Sequence, residues 1–115
     1  MAYRQGDLVL IPVPFTDLSA QKQRPVIIVS GDNFNALQDD IIVVAVTSNP
    51  AVNPYTLALS NNELSEGKLP RISQIRTDKI YTLSQSIVVR RIGHVRGHIL
   101  TKISASIGRL ISSTG

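Results

Sequence analysis

Arg24, Thr47, Ser48, Gln74 and Arg76 have types and positions that suit chemistry on a phosphodiester. Arg24 stands at the mouth of "PVIIVS", a strand-like run with four β-branched residues, Val26 to Val29. Pro25 stiffens the backbone directly behind it. Thr47 and Ser48 close the apolar run "DIIVVAVTS". Gln74 and Arg76 fall on one face of a third strand-like segment by the period of two. A phosphate transfer needs this collection: a fixed cation, hydroxyl donors and an amide. An arginine gives two parallel hydrogen bonds to a phosphate and keeps its charge at ordinary pH. The competing role for Thr47 and Ser48 is local, as hydroxyl partners of the "NP" turn that follows. Pattern alone weighs the two roles evenly.

The elements that must position these residues are short. Residues 8–14 read as a strand, with Pro12 and Pro14 confining it to an edge or a bent end. Residues 15–23 make a long polar connection of the kind that carries function. Strands follow at 25–30 and 40–48, separated by a short helical turn at 31–38 with an Asp/Asn cap. Residues 49–54 are a turn-rich loop and 55–60 a strand. Residues 61–70 read as a loop with one helical turn, and 71–77 as a strand broken by "DK". A β-rich segment spans 86–95. In 97–112, Ile99, Leu100, Ile103, Ile107, Leu110 and Ile111 form one helical stripe, which Gly108 weakens. Five or six short strands and one terminal helix predict a single domain over 1–115, mainly β, built as a small barrel.

Composition narrows the chemistry. The absence of cysteine excludes disulfides and thiolate metal sites. His94 and His98 are spaced like zinc ligands on a helix, but Gly97 and a β-rich stretch interrupt them, so no metal site is expected. No phosphate-loop, dinucleotide or serine-hydrolase motif is present. The N-terminal residues lack an apolar targeting core, and no run approaches the roughly 18 apolar residues that span a bilayer. A cytoplasmic protein with no membrane partner is the expectation. The net charge of +4 is lopsided: residues 1–59 hold three basic and five acidic side chains, residues 60–115 nine and three. Such a balance suits a polyanion or an acidic protein partner.

Four stretches in register, "GDLVLIPVPFTDL", "KQRPVIIVS", "DIIVVAVTSN" and "SQIRTDKI", resemble the MazF/PemK family of toxins from bacterial toxin–antitoxin pairs. The resemblance covers nearly the whole chain. It implies an SH3-like small barrel of the MazF/CcdB-like toxin type with a C-terminal helix, forming a homodimer. It implies a sequence-specific endoribonuclease that cleaves single-stranded RNA without metal or other cofactor. It also implies inhibition by a cognate antitoxin with an acidic, disordered tail. Carried over by position, Arg24 and Thr47 match the catalytic pair, and Ser48 and Gln74 match groove positions. Residues 15–23, with Phe15, Thr16, Asp17, Lys22 and Gln23, match the loop that closes over RNA, and Arg76 joins the groove. One departure concerns proton transfer: Gln23 stands where some relatives carry His. A second class stays open, a non-catalytic module on the same barrel, such as a gyrase poison or a binder of RNA that does not cut.

Overall fold

A computed structural model describes residues 2–13 and 22–114. Its strands are β1 (Asp7–Val13), β2 (Lys22–Ile28), β3 (Asp40–Thr47), β4 (Thr56–Leu59), β5 (Leu64–Gly67), β6 (Ser73–Ser84) and β7 (Arg90–Val95). Helix α1 spans Asp32–Leu37 and α2 Gly97–Leu110. All seven strands form one antiparallel sheet in the order β4-β6-β3-β2-β1-β7-β5. Its two edge strands, β4 and β5, are neighbours in sequence, joined through a 3-10 turn at Asn61–Glu63. In a flat sheet, six steps of about 4.8 Å would part them by about 29 Å. The chain from Leu59 to Leu64 reaches at most about 18 Å. The sheet therefore curls into a half-barrel with α2 against it, mainly β as expected of a small barrel.

Alternation sorts the apolar residues into two cores. Leu8, Ile27, Val44, Val46, Leu59 and Ile75 face the inside of the curl with Leu64, Leu69 and Val95, and pack against Ile99 and Ile103 of α2. Val9, Ile11, Val26, Ile28, Ile41, Val43 and Leu83 line the opposite face. Ser106 breaks the apolar stripe of α2 but is satisfied, its hydroxyl 2.5 Å from that of Thr77, which also donates to Tyr55 O. Gly108 has open space around it, so the glycine in α2 meets no packing demand.

Three expectations differ from what is observed. The strand placed at 71–77 does not stop at Asp78-Lys79. It runs to Ser84, and its register on β3 jumps from Arg76 to Ile80 while the partner steps from Ala45 to Val44. The polar pair is absorbed in a bulge, with Thr77 N donating to Tyr55 O. Residues 64–67, read as loop, are the edge strand β5. It has one buried apolar residue, Leu64, so no alternation announces it. Its end is held by Gly67, at φ +82, where a Cβ would lie 2.0 Å from Ile92 O. Helix α1 is capped by Gly31 rather than by an Asp or Asn side chain. Asp32 instead accepts a hydrogen bond from Gln5 N at 2.8 Å. Among the described residues no helix is long and apolar enough to cross a membrane.

Candidate active site

β2 begins at Lys22, three residues before the expected start, so Arg24 lies inside the strand. Its backbone is fixed by pairing with Ile11 of β1 as well as by Pro25. On the other side Pro25 does something different. Val29 N donates to Ile42 O of β3 at 2.8 Å. Every second residue of an antiparallel strand turns its N–H the same way, so Ile27 and Pro25 also face β3. Pro25 has no N–H to give, and the β2–β3 pairing ends at Val26↔Ala45. Beyond that point the two strands hold a cleft of about 270 Å³ lined by Arg24, Pro25, Val46 and Thr47. Ile11, Val13, Val26, Ala45 and Tyr81 complete its wall.

Register aligns the polar ends. Extended two residues past Val26↔Ala45, the β2–β3 pairing sets Arg24 across from Thr47. On the next strand Thr47 pairs with Gln74, and Ala45 with Arg76. Arg24, Thr47 and Gln74 thus form a row across β2, β3 and β6. This is the convergence of three strand ends that the sequence suggests.

The side chains differ in how free they are. Among the described residues Arg24 is exposed and has no hydrogen bond or ion pair. Thr47 Oγ1 accepts the Asn49 N–H at 3.1 Å. Its local role in the turn is therefore real. That bond uses an oxygen lone pair and leaves the hydroxyl proton to donate to something else. Arg76 is committed: its Nε and Nη2 meet both oxygens of Asp78 at 2.9 and 2.8 Å. The hydrogen bond from Arg76 is the main cause that lowers the Asp78 carboxyl below its ordinary range. Arg76 shares the face of the row but carries its counter-ion with it.

The remaining expected residues divide between a second cleft and the surface. Gln23 and Ser48 line a neighbouring cleft of about 310 Å³ that also contains Arg24, Arg71 and Ser73. Lys22 is exposed at the start of β2, paired to Val13. Phe15, Thr16 and Asp17 lie outside the described residues. Two lining residues escape a sequence reading. Arg71 sits in a stretch read as the start of a strand. Tyr81 lies five residues past Arg76, an odd count that alternation assigns to the opposite face. The three extra residues of the bulge restore it to this one.

The histidines do not pair as ligands. His94 is on β7, with Nδ1 2.8 Å from Asp7 Oδ1, whereas His98 is on α2. Among the described residues no group of three or more potential ligands gathers to hold a metal.

The comparisons with known proteins agree with this architecture. A sequence model of the PemK-like, MazF-like toxin of type II toxin–antitoxin systems matches residues 4–111. No curated protein matches the chain. Among solved structures, the fold is similar to an endoribonuclease from a mycobacterial species in complex with its cognate antitoxin. That match has a TM-score of 0.76 and 20% identity over 94% of this chain and 93% of the other. A second mycobacterial endoribonuclease aligns at TM-score 0.73 and 23% identity, covering 95% and 90%. A MazE-MazF structure from Deinococcus radiodurans aligns at TM-score 0.78 and 18% identity, covering 96% and 97%. At such identities the likeness is one of fold.

Proposed function

The chain belongs to the PemK-like, MazF-like toxin family of type II toxin–antitoxin systems, and we propose that it is an endoribonuclease that cuts single-stranded RNA without metal. The carrying observation is the pair at the β2–β3 opening: an Arg24 with no side-chain partner among the described residues and a Thr47 hydroxyl with its proton available. In the reaction the ribose 2′-oxygen attacks the adjacent phosphorus. A 2′-O–P bond forms, the P–O5′ bond breaks, and the proton lost by the 2′-hydroxyl is balanced by one gained by the leaving 5′-oxygen. The products are a 2′,3′-cyclic phosphate and a 5′-hydroxyl. Negative charge gathers on the non-bridging oxygens in the transition state. Arg24 meets it with a planar two-pronged donor, and Thr47 with its O–H. Donors fixed in advance stabilise such charge more than donors that must reorganise. A permanently protonated guanidinium suits this role and is a poor proton acceptor. The need for a 2′-OH restricts the reaction to RNA.

The same reading includes a homodimer and an antitoxin whose acidic segment competes with RNA. The lopsided basic charge supports the second, as does the likeness to a toxin solved with its cognate antitoxin. The test is single-turnover cleavage of a labelled RNA by wild type and Arg24→Ala in excess chelator. Wild type should cut, and the variant should be slower by roughly 10²–10³. Equal rates for the two would remove Arg24 from the chemistry. A wild type that binds RNA but leaves it intact would select the non-catalytic module instead.

A further inference from the structure

The eight arginines of the chain fall into two groups. Five hold protein partners. Arg4 pairs with Glu66, Arg76 with Asp78, and Arg91 with Asp7 and Glu66. Arg96 donates to Asn62 O, and Arg109 to Pro54 O. Arg24, Arg71 and Arg90 have no side-chain partner among the described residues. These three are not scattered. Arg24 and Arg71 line one cleft, of about 310 Å³. Arg90 and Lys68 line a second, of about 620 Å³. The two clefts share Leu69 and Pro70, so they adjoin. Lys68 too lacks a side-chain partner among the described residues.

We propose that Arg71, Lys68 and Arg90 form a phosphate-binding strip, continuous with Arg24, that carries nucleotides outside the cleaved step of a single-stranded RNA. The inference rests on the endoribonuclease reading above and adds residues that reading does not use. The backbone under the strip is anchored. Leu69 is buried in the main core, and its N–H donates to Asn61 Oδ1 at 2.8 Å. Ser73 Oγ donates to Arg71 O at 3.1 Å. Arg90 is held in β7 by its pairing with Leu10. The cations are thus mounted on fixed backbone while their heads stay in solvent.

The lining selects the ligand. Among the described residues no carboxylate and no aromatic ring lines either cleft. Without carboxylates the local field favours a polyanion. Without aromatic faces, bases have nothing to stack on, so contact is to the backbone and is indifferent to sequence. The single carboxylate-bound cation at the far end, Arg91, is already neutralised by Asp7 and Glu66 and marks where the strip stops. An acidic polypeptide would also feel this charge. RNA is favoured because the strip begins at Arg24, where the scissile phosphate is held, and a nucleic acid repeats its charge at every unit.

The test measures binding without cleavage. Single-stranded oligodeoxynucleotides of roughly 4 and roughly 16 units, which lack the attacking hydroxyl, report by fluorescence anisotropy across a salt series. The variants are Lys68→Ala, Arg71→Ala and Arg90→Ala, alone and combined, all at exposed positions. The combined variant should bind the longer strand roughly tenfold more weakly at low salt. Its slope of log affinity against log salt should shrink by about 2, roughly 0.7 for each lost phosphate contact. The shorter strand should bind as to wild type. Arg71→Lys with Arg90→Lys should keep most of the slope. An unchanged slope, or equal loss for both lengths, would overturn the strip even if the wild type cleaves RNA. Weaker binding of polyglutamate alone, with oligonucleotide affinity unchanged, would overturn it in favour of a protein partner. A shrunken slope in the combined variant, beside a wild type that cleaves no RNA, would overturn the nuclease reading while leaving the strip a nucleic-acid site.

Discussion

At the scale of single residues, Thr47 carries two jobs that a substitution can separate. Its oxygen accepts from Asn49 N, and its proton is available to a ligand. Thr47→Val keeps the shape and removes both. The lost turn bond is exposed and should cost no more than about 1 kcal/mol. The lost donor should slow cleavage by roughly 10²-fold. Thr47→Ser should recover most of the rate. If the valine variant loses stability but not activity, the hydroxyl serves the turn alone. The comparable test at Arg24 is lysine, which keeps the charge and loses the fork, so it should recover little. These two positions stood out in the sequence because each borders a strongly apolar run, where a polar side chain is conspicuous. The partner of Arg76 was not. Asp78 is two residues away, in the "DK" pair that reads as the end of the strand rather than as part of it.

At the scale of elements, Pro25 links sequence to site. It removes one rung between β2 and β3, and the cleft lies beyond that rung. Pro25→Ala would restore an N–H aimed at β3. Stability should then shift by no more than about 1 kcal/mol, while cleavage falls as the strands close. A Pro25→Ala variant with normal turnover, measured beside its thermal melt, would show that the cleft does not depend on the missing rung. A second element-level device ties β1 to β7. Asp7 is buried, with its side chain 3% exposed. Burial pushes its carboxyl up. Hydrogen bonds from Arg91, the Arg4 amide and His94 together outweigh this and leave it below the ordinary value. The unfolded chain then binds that proton more readily than the folded one. The contribution is complete above a pH of about 4 and drains away as pH falls below it. Asp7→Asn should cost about 2–3 kcal/mol at neutral pH and flatten the acid limb of a stability–pH curve. An unaltered limb would place the acid sensitivity elsewhere. The strands β1, β2 and β3 were readable as short, near-continuous apolar runs, and helix α2 by its apolar stripe at spacings of three and four. β5 was not, since its pairing to β7 is made by backbone with a single buried side chain. The continuation of β6 past Asp78-Lys79 was hidden because composition marks a break where geometry inserts a bulge.

At the scale of the whole molecule, sequence adjacency of the two edge strands forces the curl, while the register of the neighbouring strands β2, β3 and β6 sets three polar residues in one row. The small-barrel class was therefore legible from strand number and brevity. The curl was not, because it depends on β5. The basic excess of residues 60–115 was plain in the sequence, but its division into paired and unpaired arginines needed three dimensions. A domain this small has limited buried surface, and a two-fold dimer is the expected assembly. Light scattering at micromolar concentration should give about twice the 12.5 kDa chain mass. A monomer at that concentration would exclude a groove shared between copies. In the proposed reaction the Arg24–Thr47 pair promotes cleavage of RNA by the RNA's own 2′-hydroxyl. The most direct measurement is analysis of both product ends after wild-type protein cuts a single-stranded RNA in excess chelator, beside an all-deoxy strand of the same sequence. The RNA should yield 2′,3′-cyclic phosphate and 5′-hydroxyl ends, and the deoxy strand should stay intact. Ends bearing 5′-phosphate, a requirement for divalent metal, or cleavage of the deoxy strand would contradict it.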